Sequence, residues 1–159
     1  HFSQDVLEHG TEADDTYVLA EEDEFVAGKN GPELEAAGGE CAVITIYQKR
    51  HKLGAVIHVD VIDQVSDRHA ELVDELAKRL HEINLSRAEI GLFLDVEKFD
   101  ASLKPERERW KRRIELSLTA RGAKSVTSYT KGDGKTVALD TQTGKIKVFD
   151  DDNQLIFEK

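Results

Sequence analysis

Methionine is absent from this chain of 159 residues, cysteine and tryptophan occur once each, proline twice, and only 6% of residues are aromatic. A single cysteine, Cys41, excludes an internal disulfide, so the fold gains nothing from an oxidising compartment and the thiol survives best in a reducing one. The cytosol is the expected location. No apolar run approaches the roughly 20 residues of a membrane-spanning helix, so no membrane span is expected, and positions 1–16 contain no apolar core of a signal peptide. Basic excess is missing too. A net charge of −10 argues against binding nucleic acid or an anionic membrane through a broad basic surface, and favours a basic partner instead. A chain that opens on His1 and has no Met is expected to have lost its initiator or to be cut from something longer.

What is present is a moderate apolar content, 39%, interleaved with 34% charged residues. Apolar runs recur along most of the length, which predicts one domain with one core. Positions 1–15 are polar and acidic with few apolar anchors and are expected to be a disordered lead-in; 16–159 are expected to be the domain. Short strands are predicted at 17–20 and 25–27, followed by a turn marked by Gly28, Asn30, Gly31 and Pro32. Positions 34–37 lead into Gly38-Gly39. The β-branched and aromatic run 41–47 and the run 53–62 are predicted strands, joined as a hairpin through the basic loop 48–52.

Leu72, Val73, Leu76, Leu80 and Ile83 recur at helical spacing, which predicts a helix over 67–83 with Ser66 or Asp67 as N-cap. The compact apolar run 90–96 predicts a central strand. A second helix is expected from Pro105, with Trp110, Ile114 and Leu118 on one stripe, a solvated basic face from Arg107 to Arg113, and a stop at Gly122. Three strands are predicted at 125–129, 136–140 and 145–149, with a further apolar piece at 155–157. Strands, helix, strand, helix and strands in that order predict an α+β fold: mixed β-sheets, sandwich-like, with two main helices in a single domain.

The chemistry concentrates on the 41–62 hairpin. Cys41 follows Gly38-Gly39-Glu40, and His58 lies on the adjoining predicted strand. If the hairpin is centred between Lys49 and Arg50 the two are directly opposite; a shift of one residue makes them diagonal neighbours on the same face. An imidazole beside a thiol holds it as the reactive thiolate. Backbone N–H groups of Gly39, Glu40 and Cys41 could form an oxyanion hole. The bland alternative is that Cys41 is a small buried hydrophobe and His58 a core histidine. Metal is not expected, because no second cysteine is present and His51, His69 and His81 have no standard ligand spacing.

The stretch Gly39-Glu40-Cys41-Ala42-Val43-Ile44-Thr45-Ile46-Tyr47, with Lys52-Leu53-Gly54-Ala55-Val56-Ile57-His58, resembles the signature of the CheD chemoreceptor glutamine deamidases. The likeness continues at 136–148, which looks like that family's closing hairpin. The Cys-to-His spacing, with Asp60 in a His-x-Asp arrangement, is also similar to the N-terminal asparagine amidohydrolases. Toxins of the cytotoxic necrotizing factor type use a Cys-His pair on a related sandwich. All three hydrolyse a carboxamide and release ammonia. The resemblance implies Cys41 as nucleophile, His58 as base, no cofactor, and a protein substrate presenting Gln or Asn. Glu35 stands where CheD has threonine and Glu40 where it has serine, and the CheD Gly-Gly-Ala segment is not evident around Gly91-Leu92-Phe93. The residue that orients His58 is therefore open among Glu33, Glu35, Asp60 and a main-chain carbonyl.

The expected function is a cysteine-dependent protein deamidase that converts Gln or Asn to the acid through a thioester, acting in the cytoplasm or in a host cytosol as a delivered effector or toxin. The alternatives are a catalytically silent binding module of the same fold, favoured by Glu35, and a cysteine protease or transglutaminase-like acyltransferase using the same pair.

Overall fold

The computed structural model describes residues 10–13, 17–20, 24–37, 41–59, 68–94, 102, 104–129 and 135–159. Its centre is the expected hairpin. Strands β5 (Ala42–Gln48) and β6 (Leu53–Val59) are buried along their whole length, because one face of their sheet meets helices and the other meets a second sheet. The connection is a single 3-10 turn, Lys49–His51, closed by Lys52 in the left-handed region at φ 48°.

The first sheet has six strands in the order β1-β3-β6-β5-β7-β8. It adds β1 (Gly10–Ala13), β3 (Glu24–Lys29), β7 (Glu89–Phe93) and β8 (Thr127–Tyr129) to the hairpin. Strand β1 falls inside the 1–15 stretch read from sequence as a lead-in, and pairs parallel to β3. The second sheet has five strands, β11-β10-β9-β4-β2, built from β2 (Tyr17–Ala20), β4 (Glu33–Ala37), β9 (Thr136–Asp140), β10 (Ile146–Phe149) and β11 (Leu155–Glu158). Both sheets are mixed, with parallel pairs β1/β3, β7/β8 and β2/β4 among antiparallel ones. The α+β, sandwich-like architecture with two helices is as the sequence predicts.

Helix α1 (Arg68–Arg79) buries His69, Leu72, Val73 and Leu76, and α2 (Lys104–Ala120) buries Trp110, Ile114 and Leu118 on one stripe. These side chains pack on Ile44, Ile46, Ala55 and Ile57, the helix-facing set of the hairpin. Each large apolar side chain so buried contributes about 1.5–3 kcal/mol relative to exposure. The other set, Val43, Tyr47 and Val56, packs with Leu34, Val137, Leu139 and Val148 of the second sheet.

Three local expectations are corrected. Positions 34–37, which the sequence reading assigns to no element before Gly38-Gly39, are most of β4, which pairs with both β2 and β9. Gly28 lies within β3, and the turn begins at Asn30 (φ 63°) and Gly31 (φ 139°). The basic stripe of α2 is not wholly solvated: Arg107 is buried, and the Arg113 guanidinium lies 5.6 Å from the Trp110 ring centre. The expected N-cap of α1, Ser66 or Asp67, lies outside the described residues.

The two sheets approach closely at one corner. A Cβ at Gly54 would come within 2.9 Å of side-chain carbons of both Leu139 and Thr141. Beside it, Tyr47 Oη donates to the Thr141 carbonyl at 3.1 Å, while Thr141 Oγ1 donates to the Pro32 carbonyl at 2.7 Å and accepts from Gly31 N–H at 2.9 Å. Thr141 is fully buried, so these bonds fix the 30–32 turn against the β9–β10 turn.

Candidate active site around Cys41 and His58

Alternation along β6 sends Ala55, Ile57 and Val59 toward the helices and Val56 and His58 toward the second sheet. His58 is thereby set in the sheet-sheet interface, 4% exposed. Its ladder neighbours are Val43 on β5 and Glu24 on β3. Its Nδ1 lies 3.1 Å from the carbonyl oxygen of Ala20, at the end of β2 in the facing sheet. A carbonyl can only accept, so Nδ1 carries the proton, and in the neutral ring Nε2 is then the basic nitrogen. Nε2 is shielded from solvent.

Cys41 is a half-buried cysteine in no disulfide, one residue before β5. The ladder runs from Gln48↔Leu53 to Ala42↔Val59, so the hairpin is centred one residue later than the directly opposed arrangement requires. Alternation carried one step past Ala42 places Cys41 on the face of Val43 and His58. His58 pairs with Val43, two residues along from Cys41, so the register is the one that the sequence reading associates with diagonal neighbours.

Of the remaining expected site residues, Asp60, Gly39 and Glu40 lie outside the described residues. Glu33 and Glu35 are on β4, where Leu34 and Ala36 take the inward face and the two acids the outward one. The β4 backbone thus separates both carboxylates from His58, and neither orients it. The contact to His58 Nδ1 comes instead from the Ala20 main chain, the open alternative that sequence could not locate. Glu35 has a distinct property of its own. Burial, followed by a hydrogen bond to Glu33 and the charge of that neighbour, raises its pKa to about 7.

Glu24 falls between the strands predicted from sequence at 17–20 and 25–27. The register puts this half-buried carboxylate directly across from His58 on the same face. Alternation in Glu24-Phe25-Val26-Ala27 was the available signal, since Val26 marks the sheet-facing set to which Glu24 belongs. Among the described residues, no group of three or more His, Cys, Asp or Glu side chains converges where a metal ion could sit. Nor is any helix among them long and apolar enough to cross a membrane.

No family model matches the chain, and no curated protein matches it in sequence. Solved structures do match in fold. The hypothetical protein YfiH of Bacillus licheniformis superposes at a TM-score of 0.50 with 11% identity, over 66% of this chain and 49% of that one. YlmD from Geobacillus stearothermophilus gives 0.50 and 12%, over 65% and 48%. The Neisseria meningitidis protein NMB0706, of family-model DUF152, gives 0.47 and 11%, over 65% and 51%. The chain spans about half the length of these structures. None of the three is a CheD protein, and at this identity the likeness to YfiH and YlmD is one of fold alone.

Proposed function

We propose that the chain is a cysteine-dependent amide hydrolase of CheD-like chemistry, a deamidase of Gln or Asn side chains in a partner protein. The observation that supports this reading is the ladder between β5 and β6, which pairs His58 with Val43, two residues from Cys41, while His58 Nδ1 lies against the Ala20 carbonyl. In the proposed reaction His58 Nε2 takes the thiol proton as Cys41 Sγ attacks the carboxamide carbon. The oxyanion is met by backbone N–H groups around Gly39, Glu40 and Cys41. Its collapse breaks the C–N bond, and His58 returns the proton to departing ammonia. Water then attacks the thioester, Nε2 accepts its proton, and loss of the thiolate leaves the acid. The Ala20 carbonyl supports this cycle by stabilising the imidazolium through Nδ1–H in both steps. No step calls for a cofactor. The setting that suits a free thiol is the cytoplasm, or a host cytosol for a delivered effector.

Burial of His58 favours the second reading, a catalytically silent binding module of the same fold. Mass spectrometry on Gln- and Asn-bearing protein substrates separates the two. Conversion of a side-chain amide to an acid with ammonia release, lost in Cys41→Ala, supports the hydrolase. Backbone cleavage would point to a protease, and absence of any covalent change to the silent module.

A further inference from the structure

Helix α2 carries a local charge opposite to that of the chain. Positions 104–113 hold six basic residues and two acidic ones in a protein of net charge −10. On the helix, Arg109, Arg112, Arg113 and Leu116 fall within an arc of about 100°, opposite the buried stripe of Trp110, Ile114 and Leu118. All four are exposed, and Leu116, at 56%, is the most exposed large apolar side chain among the described residues. Like charges three and four positions apart repel one another. The ion pairs of the helical layer engage Arg68, Arg79 and Arg121, and neither Arg109 nor Arg112.

Two cavities follow one side of this helix. One, of about 240 Å³, is walled by Arg109, Trp110 and Arg113. The other, of about 530 Å³, lies between Arg113 and Leu116 on α2 and Ala70 and Asp74 on α1. They adjoin at Arg113, whose guanidinium lies 5.6 Å from the Trp110 ring centre. From Glu106 to Arg121 the trough so formed is about 22 Å long, roughly four helical turns. Its acids on α1 are matched already, Glu71 to Arg68 at 2.8 Å and Asp74 to Arg121 at 2.8 Å.

We propose that this trough binds an acidic amphipathic helix of a partner protein, its carboxylates one turn apart against Arg109, Arg112 and Arg113 and an apolar side chain against Leu116. The helical form follows from spacing. Arg109, Arg113 and Leu116 succeed one another by about one turn, roughly 5.4 Å, which matches residues three or four apart on a second helix lying alongside. Same-face residues of an extended strand are roughly 6.5–7 Å apart and fall out of step. A long polyanion would also meet the excess acid on the rest of the surface, whereas a helix of about four turns covers only the trough. Helix α2 packs on the face of the first sheet opposite His58, so this surface does not rest on the amide-hydrolase reading.

The test is fluorescence anisotropy of the intact chain with a labelled, alanine-based helical peptide of about 16 residues that carries Glu and Leu one turn apart on one face. Saturable binding is expected, weakening as salt is raised, and lost when Gln replaces Glu in the peptide. Arg109→Gln and Arg112→Gln should each weaken it about threefold, the worth of a surface ion pair, and Leu116→Ala about fivefold. Lys147→Gln removes the same charge from the second sheet and should leave affinity unchanged. The three α2 positions are exposed, so unchanged melting temperatures in their variants will show that the fold is intact. No saturable binding, equal affinity for the Gln peptide, or the same loss in Lys147→Gln as in Arg109→Gln would overturn the proposal. So would tighter binding of a single-stranded oligonucleotide, or of phosphatidylserine vesicles, than of the acidic helix.

Discussion

His58 on β6 reaches across the sandwich to the Ala20 carbonyl on β2, Nδ1 to oxygen 3.1 Å. One hydrogen bond therefore joins the two sheets and selects the histidine tautomer. Nitrogen NMR of the imidazole should find the neutral ring protonated at Nδ1, with Nε2 showing the shift of an unprotonated nitrogen. A ring protonated at Nε2 at neutral pH would place the basic nitrogen on the wrong side for Cys41.

Glu24 stands across the ladder from that imidazole. A carboxylate across the ladder from a histidine favours a positive charge on the ring, so its removal should leave the imidazolium less stabilised. Glu24→Gln is accordingly expected to reduce kcat/KM for amide hydrolysis about tenfold and to move the acid limb of the pH profile downward. An unchanged profile would show that Glu24 does not act on His58.

Glu35, on the outward side of β4, predicts a pH dependence of stability with no counterpart in catalysis. Its folded pKa of about 7 lies above the ordinary 4.5, so between those values the folded state holds more protons than the unfolded chain. Its contribution to stability is whole below pH 4.5 and is lost as pH rises through 7. Glu35→Gln should flatten that slope and stabilise the protein at pH 8 by on the order of 1 kcal/mol, the shift being discounted for partial exposure. Denaturant melts across this range provide the check, and catalytic activity should not change.

The corner at Thr141 should be the most sensitive point between the sheets. Thr141→Val keeps the volume but leaves the Gly31 N–H without its partner, while the Pro32 carbonyl keeps the Thr141 backbone N–H at 3.2 Å, at a cost of about 1–3 kcal/mol. Gly54→Ala should cost about 1–3 kcal/mol by forcing apart Leu139 and Thr141. Chemical denaturation with an unchanged slope would confirm that both act on the folded state.

Local patterning made the hairpin and both helices legible, because Cys41 to Tyr47 and the Leu72–Leu76–Leu80 stripe carry their own periodicity. Strand β4 was not legible. Leu34 and Ala36 are its only inward residues, and the acids between them look like a loop until β2 and β9 flank them. The parallel pairings of β1 and β2 are equally silent, since nothing within Tyr17–Ala20 names Glu33–Ala37 as its neighbour.

The site divides along the same line. Sequence spacing set the register of the hairpin carrying His58 to within one step, since a hairpin with a short turn leaves few alternatives. It could not separate Glu33 and Glu35 from the imidazole, because only the second sheet shows that they face outward. The Ala20 contact was beyond it for another reason: main-chain carbonyls carry no sequence signal, and this one arrives from another sheet.

The pairing of Cys41 with His58 is tested most directly by the rate of iodoacetamide alkylation of Cys41 as a function of pH, in the wild-type chain and in His58→Gln. The account predicts a midpoint well below the ordinary thiol value of about 8.5 in the wild type, returning toward it in the variant. Coincident profiles with midpoints at or above about 8.5 in both proteins would contradict it.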